Sequence, residues 1–273
     1  MKIKEKISPE NLFDVIQQNW LAWASQFSPE VKFVIGISGG KDSTVVAYLA
    51  VKIFGADRVV GVTLPCDEQK EIDDSCKVIQ NLGIKRVNIN IGDAVYSINS
   101  AIENNAIDVS ADTKTNLPCR IRTASLYAVA QSINGIVVNT SNLTEDILGY
   151  ATLWGDTCGS FAPIQGLTVT EVISLGDWLG VPYDLCHKTP IDGLQELTDE
   201  EKLGMKYADV DKFIRKNEGT QEFKQKVMLM YFRNKFKIDM ITLPGPKFTD
   251  LPNFVQFPAK ASNLLLMQTH DSE

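Results

Sequence analysis

The chain has 273 residues, 44% of them hydrophobic and 22% charged, with a formal net charge of −7 and a pI near 5.0. That composition excludes a disordered chain and argues against a broad, charge-driven nucleic-acid surface. No apolar run approaches the ~20 residues of a membrane span, and Met1 to Glu10 lacks the apolar stretch of a signal peptide, so a cytoplasmic protein with no nucleic-acid and no membrane partner is expected.

In chain order, Leu12, Phe13, Ile16, Trp20, Trp23 and Phe27 recur at helical spacing. They predict a helix within residues 1–30 whose aromatic face needs a partner, either the core or another subunit. The apolar run Val31 to Ile37 predicts a strand, Ser38 to Ser43 a turn, and Thr44 to Phe54 a helix. The alternation continues with a strand over Arg58 to Leu64, a helix over Glu68 to Leu82 and a strand over Lys85 to Ile91. Helices follow over Ala94 to Asn105 and Arg120 to Ile133, then a strand over Gly135 to Asn139. The polar stretch Asp108 to Pro118 reads as a surface connection and a candidate mobile loop. Charged helices open at Asp199 and Glu218, and four prolines (Pro244, Pro246, Pro252, Pro258) predict an irregular extension over 241–257.

This pattern implies an α/β fold, a doubly wound parallel sheet in a single domain over residues 1–273, with a helical C-terminal elaboration over 197–273. Ligands of such sheets bind beyond the carboxyl ends of the strands. Ser38 to Ser43 and Thr140 to Glu145 then share one edge. The five cysteines (Cys66, Cys76, Cys119, Cys158, Cys186) are odd in number and form no CxxC, which suits reduced thiols. With only His187 and His270, a His-based triad or metal site is poorly supplied.

Ser38-Gly39-Gly40-Lys41-Asp42-Ser43 carries the chemistry. Adjacent glycines let backbone amides turn onto an anion, and a helix N-terminus behind them adds partial positive charge. Ser38 and Ser43 supply hydroxyls. Asp42 does not bind bare phosphate, so it points to a bridging Mg²⁺. Ile35 and Asp42 break the common GxxxxGK[ST] pattern.

The segment resembles the SGGxDS loop of the N-type ATP pyrophosphatases, which adenylate a substrate oxygen and release pyrophosphate. Later segments resemble the NAD synthetases within that superfamily: Asn116 to Arg122 is similar to N-x-x-x-R-x-R, and Thr140 to Glu145 to T-x-N-x-x-E. Gly149 to Asp156 is similar to GYxTLYGD, and Lys188-Thr189-Pro190 with Leu194 to K-x-P-x-x-x-L. The likeness runs from about Lys32 to Tyr207, with an echo near Lys237.

The resemblance implies ATP-dependent amidation of deamido-NAD by ammonia, through an NAD-adenylate, in a homodimer. It implies ATP contacts from Ser38, Gly39, Gly40, Lys41, Asp42, Ser43 and Thr140, and Mg²⁺ ligation by Asp42 and Glu145. Arg120, Asp156 and Lys237 would meet deamido-NAD, and Asp156, Asp42 and Lys188 would serve catalysis. Ammonia rather than glutamine is expected as donor, because only about 30 residues precede the first strand, fewer than the ~100 of a catalytic domain. The pattern breaks at Val169, where the family has a lysine, and at Ile191, where it has a hydroxyl. Lys41 is a candidate replacement for the lost positive charge. Two alternatives stay open: a related amide ligase on another carboxylate, and a nucleotide-binding relative with reduced turnover.

Overall fold

The computed structural model describes residues 8–67, 72–188, 198–239 and 245. Its sheet contains β1 (Lys32–Gly36), β2 (Val59–Thr63), β3 (Lys85–Asn88) and β4 (Gly135–Val137), all parallel, in the order β3-β2-β1-β4. Every residue of β2 is buried, as are Phe33, Val34 and Ile35 of β1. Burial on both faces explains why these strands read as unbroken apolar runs. The chain leaves β1 outward through β2 and β3, then returns to the other side of β1 as β4. The connections after β1 and β4 therefore diverge and leave a crevice at the strands' carboxyl ends.

Alternation along β1 assigns its residues to two cores. Phe33 and Ile35 pack with α1 (Pro9–Ala24), α2 (Lys41–Phe54) and α7 (Val169–Leu179). Val34 faces α5 (Ala111–Ser132), whose Ile121, Leu126 and Ala130 close the other side. Outside α5 lies α4 (Gly92–Glu103), and α3 (Ile72–Leu82) contributes Val78 and Ile79 to the first core.

The aromatic face of α1 finds its partner within the chain. Trp20 is fully buried, stacked on Phe161 and edge-on to Phe33 and Phe54. Ser8 starts the helix by accepting the Asn11 amide at 3.2 Å.

One expectation fails. From Ala111 onward the supposed loop is helix, capped by Ser110, which accepts the Thr113 amide at 3.1 Å. Pro118 lies inside α5 and is buried. A proline removes one backbone donor and strains its helix, but here its ring gains a buried place and the helix runs on.

A third apolar cluster joins the C-terminal helices to α6 and α7. It unites Ile147 and Leu148 of α6 (Leu143–Leu148) with Val169, and with Val210, Phe213 and Ile214 of α10 (Tyr207–Lys216). Val227 of α11 (Gln221–Asp239) completes it. The short helices α8 (Tyr183–Cys186) and α9 (Asp199–Leu203) precede these. The expected extension over 241–257 falls outside the described residues, Gly245 excepted. No described helix is long and apolar enough to cross a membrane.

Candidate active site at the switch point

Ile37 ends the apolar run, and the chain turns at Gly39 with φ of 83°, a conformation that favours glycine. Gly40 caps α2, so Lys41, Asp42 and Ser43 form the first helical turn rather than a free loop. The turn braces itself. Ser38 Oγ lies 3.1 Å from Ser43 Oγ and accepts the Gly40 amide at 3.2 Å. Thr44 Oγ1 donates to the Gly40 carbonyl at 2.7 Å.

Across the crevice, Asn142 caps α6, accepting the Glu145 amide at 3.0 Å through Oδ1. Its Nδ2 donates to Asp42 Oδ1 at 3.0 Å, so one buried amide fixes the two carboxylate-bearing helices to each other. Lys41 Nζ sits between the carboxylates, 2.8 Å from Asp42 Oδ2 and 3.5 Å from Glu145 Oε1. Burial and the charge of Asp42 push the Glu145 carboxyl upward, while Lys41 pulls it down. Burial would lower the Lys41 ammonium, but the charges of Asp42 and Glu145 and hydrogen bonds to both outweigh it and raise it.

The third wall is the turn between Thr152 and Phe161. Asp156 Oδ1 accepts the Thr152 amide at 2.6 Å. Burial pushes its carboxyl upward, opposed by backbone hydrogen bonds from its own turn and by the Lys237 ammonium. Asn139, at the end of β4, donates to the Asp156 and Cys158 carbonyls at 3.0 and 3.1 Å and accepts the Ser141 amide at 2.8 Å. Helix α5 holds this turn from the side. Thr152 Oγ1 donates to Asn116 at 2.7 Å, Thr123 Oγ1 to the Gly155 carbonyl at 2.7 Å, and Arg120 Nε to the Leu153 carbonyl at 3.1 Å.

Together these walls enclose a cavity of about 760 Å³. Ser38, Gly40, Lys41, Asp42, Ser43, Thr140, Glu145, Asp156, Lys188 and Lys237 all line it. Gly39 and Arg120 do not, and Arg120 is exposed on α5; Arg122 lines the cavity instead, donating to the Leu64 carbonyl at 3.0 Å. Lys188 pairs with Asp74 at 2.9 Å. Lys237 Nζ donates to the Gly149 and Ala151 carbonyls at 2.9 and 2.8 Å, and burial lowers its ammonium against the charge of Asp156. Val169 is buried in the cluster that contains Tyr207, and the ammonium of Lys41 lies 5.7 Å from the Tyr207 ring centroid. Ile191 lies outside the described residues.

Sequence reasoning missed Asn139 as a site residue, although a strand ending in Asn was its signal. It also missed Asp146, which lines a side recess with Asp42, Glu145 and Asp156. Burial, then the charge of Asp156, pushes the Asp146 carboxyl up to about 7.

The C-terminal helices secure this machinery. Asp211, buried in α10, accepts from the Thr144 hydroxyl and from the Thr170 amide and hydroxyl at 2.7 and 2.6 Å. Asn234 of α11 donates to the Leu148 carbonyl at 3.1 Å. Gly149, with φ of 67°, admits that approach, since a Cβ there would lie 2.0 Å from the Asn234 Cβ.

The NAD synthase family model matches residues 16–240. The curated NH3-dependent NAD+ synthetase of Pyrococcus furiosus is 41% identical over 184 residues, 66% of this chain and 70% of that one. Among solved structures, the NMN synthetase of Francisella tularensis superposes with a TM-score of 0.78 at 30% identity, over 88% of this chain and 99% of the other. The NH3-dependent NAD synthetase of Campylobacter jejuni gives 0.70 at 21% identity, over 87% and 99%, a likeness of fold.

Proposed function

The chain belongs to the NAD synthase family, and from that premise we propose that it is an ammonia-dependent ligase that converts deamido-NAD to NAD with ATP as activating substrate. One observation carries the reading: the Ser38–Ser43 turn, the Asp42–Glu145 pair and Asp156 converge on one cavity.

The carboxylate of the nicotinate ring is a poor electrophile. Its oxygen attacks the α-phosphorus of ATP, the bond to pyrophosphate breaks, and an adenylate forms. Backbone amides in the first turn of α2, with the hydroxyls of Ser38, Ser43 and Thr140, would hold the phosphates. Asp42 and Glu145 would hold Mg²⁺; they are hard oxygen donors, and the pair already accommodates one cation, the Lys41 ammonium. When bound, the metal neutralises charge on the departing pyrophosphate. Lys188, at the cavity wall, adds positive charge once it leaves Asp74. Asp156 attracts ammonium and takes up its proton. The ammonia nitrogen then attacks the acyl carbon, AMP leaves with the electrons of the broken C–O bond, and the new C–NH3⁺ group gives up a second proton to solvent to become the amide. Lys237 holds the Gly149–Ala151 backbone beside that step and faces the substrate.

The test is product formation by the purified protein. NAD, AMP and pyrophosphate are expected in equal amounts, and only when ATP, deamido-NAD and ammonium are all present. Glutamine in place of ammonium should give no NAD. Pyrophosphate release that ignores the acid would defeat the reading. Nicotinate mononucleotide is a necessary second acid in this assay, because the NMN synthetase neighbour has the higher structural likeness, 0.78 against 0.70. A larger kcat/KM with the mononucleotide would move the assignment to that substrate.

We further propose a homodimer through α4 and α5. Tyr96 of α4 is 73% exposed, and Gly92, Pro118 and Ala130 are the fully covered residues of the two helices. Pairing there would also bring the exposed Arg120 to a second subunit's substrate. Light scattering at micromolar concentration should give twice the 30.3 kDa chain mass; a monomer would count against it.

A further inference from the structure

We infer that Lys41 is the resident counter-ion of the Asp42–Glu145 pair, holding the carboxylates together until a divalent cation displaces it toward the nucleotide phosphates. The inference rests on the proposed reading of this site as one for ATP and Mg²⁺.

Four observations carry it. The Lys41 side chain is only 4% exposed, so it is built into the site and does not reach out from it. Its ammonium touches both carboxylates, at 2.8 Å and 3.5 Å, and so occupies the space between them. It is the first residue of α2, where the helix dipole disfavours a cation; local helix formation therefore gives no reason for a lysine here. Finally, position 169 supplies no cation to this wall of the site. Val169 fills that place with an apolar side chain in the cluster around Tyr207, and the Lys41 ammonium lies over the same ring.

Two half-buried carboxylates without a cation between them repel each other and draw protons. Asn142 alone donates one neutral hydrogen bond to Asp42, which leaves that charge in place. The Lys41 ammonium offsets half of it. A divalent ion entering between the carboxylates takes over that role, and two cations in one small space repel. The flexible lysine stem then lets the ammonium swing to phosphates held at the N-terminus of α2.

A salt bridge that only supports the fold and a displaceable counter-ion predict different signs. The test is Lys41→Met, read by two binding measurements. In the absence of nucleotide, Mn²⁺ affinity, followed by the paramagnetic resonance signal of free Mn²⁺, is expected to rise about tenfold or more, since a competing charge is gone. In the presence of Mn²⁺, affinity for a non-hydrolysable ATP analogue is expected to fall about tenfold or more, since a charged contact to phosphate is lost. Metal affinity unchanged within twofold, or lowered, overturns the inference; so does unchanged affinity for the analogue. Should Lys41→Met fail to fold, Lys41→Gln carries the same two expectations, because its amide still bonds Asp42 without the charge. The two readings fail separately. Wild-type protein that binds no Mn²⁺ even with the ATP analogue faults the assigned function. Normal NAD formation, with Mn²⁺ affinity indifferent to Lys41, faults the counter-ion alone.

Discussion

Glu145→Gln should cut pyrophosphate release by about a thousandfold while the protein melts within a few degrees of wild type. The carboxylate faces the cavity, and its loss leaves one of the two groups that would hold Mg²⁺. Charge stabilisation by a bound metal is worth several kcal/mol, and each 1.36 kcal/mol is a factor of ten in rate, which sets the scale. The fold should tolerate the change, because the contact that starts α6 is made by the backbone amide of residue 145 to Asn142 and not by its side chain. Steady-state pyrophosphate release alongside a circular-dichroism melt checks both halves. Activity within tenfold of wild type would remove Glu145 from the metal site.

Trp20→Ala should destabilise the protein by about 3 kcal/mol, the lower end of the ~3–5 kcal/mol range for deleting a buried aromatic. The indole is fully buried and stacks on Phe161 with ring centroids 5.2 Å apart. The lower end applies because its Nε1–H is buried with no hydrogen-bond partner among the described residues. Removing that group regains part of an existing desolvation cost. The effect should also reach the active site. The Phe161 carbonyl accepts the Asn139 amide at 2.8 Å, and Asn139 holds the Asp156 turn. Urea unfolding gives the stability change. A midpoint that shifts with protein concentration and not with the mutation would mean that α1 serves an interface instead.

Those two residues mark what was legible in the sequence. The strands β1 and β2 were readable because burial on both faces demands continuous apolar residues. The order of the sheet was not, since an apolar run does not say which neighbour it pairs with. Glu145 is marked by its motif, which also contains Asn142, but the motif does not say what Asn142 binds. Its second partner, Asp42, is 100 residues away, and nothing local announces it. Arg120 and Arg122 show a similar limit. They stand two positions apart, roughly 200° around a helix, so the spacing alone left open which one faces the cavity. The start of α5 was missed because a proline and a polar stretch read as an interruption, while the structure uses that proline to line the site. For Lys41, sequence raised a contact with phosphate; the fold adds the inward pairing with two carboxylates.

The helix α6, which carries Glu145, has six residues, too few to persist without outside support. Besides the Asn142–Asp42 bond, part of that support comes from the far end of the chain: Asp211 reaches Thr144, Asn234 the Leu148 carbonyl, and Lys237 the Gly149 carbonyl. On the ribosome, the sheet and the Ser38–Ser43 turn therefore emerge well before Asp211, Asn234 and Lys237. A chain that ends before α11 is expected to keep the Ser38–Ser43 turn and the Asn142–Asp42 bond but to hold Glu145 less firmly, for want of Asn234 and Lys237.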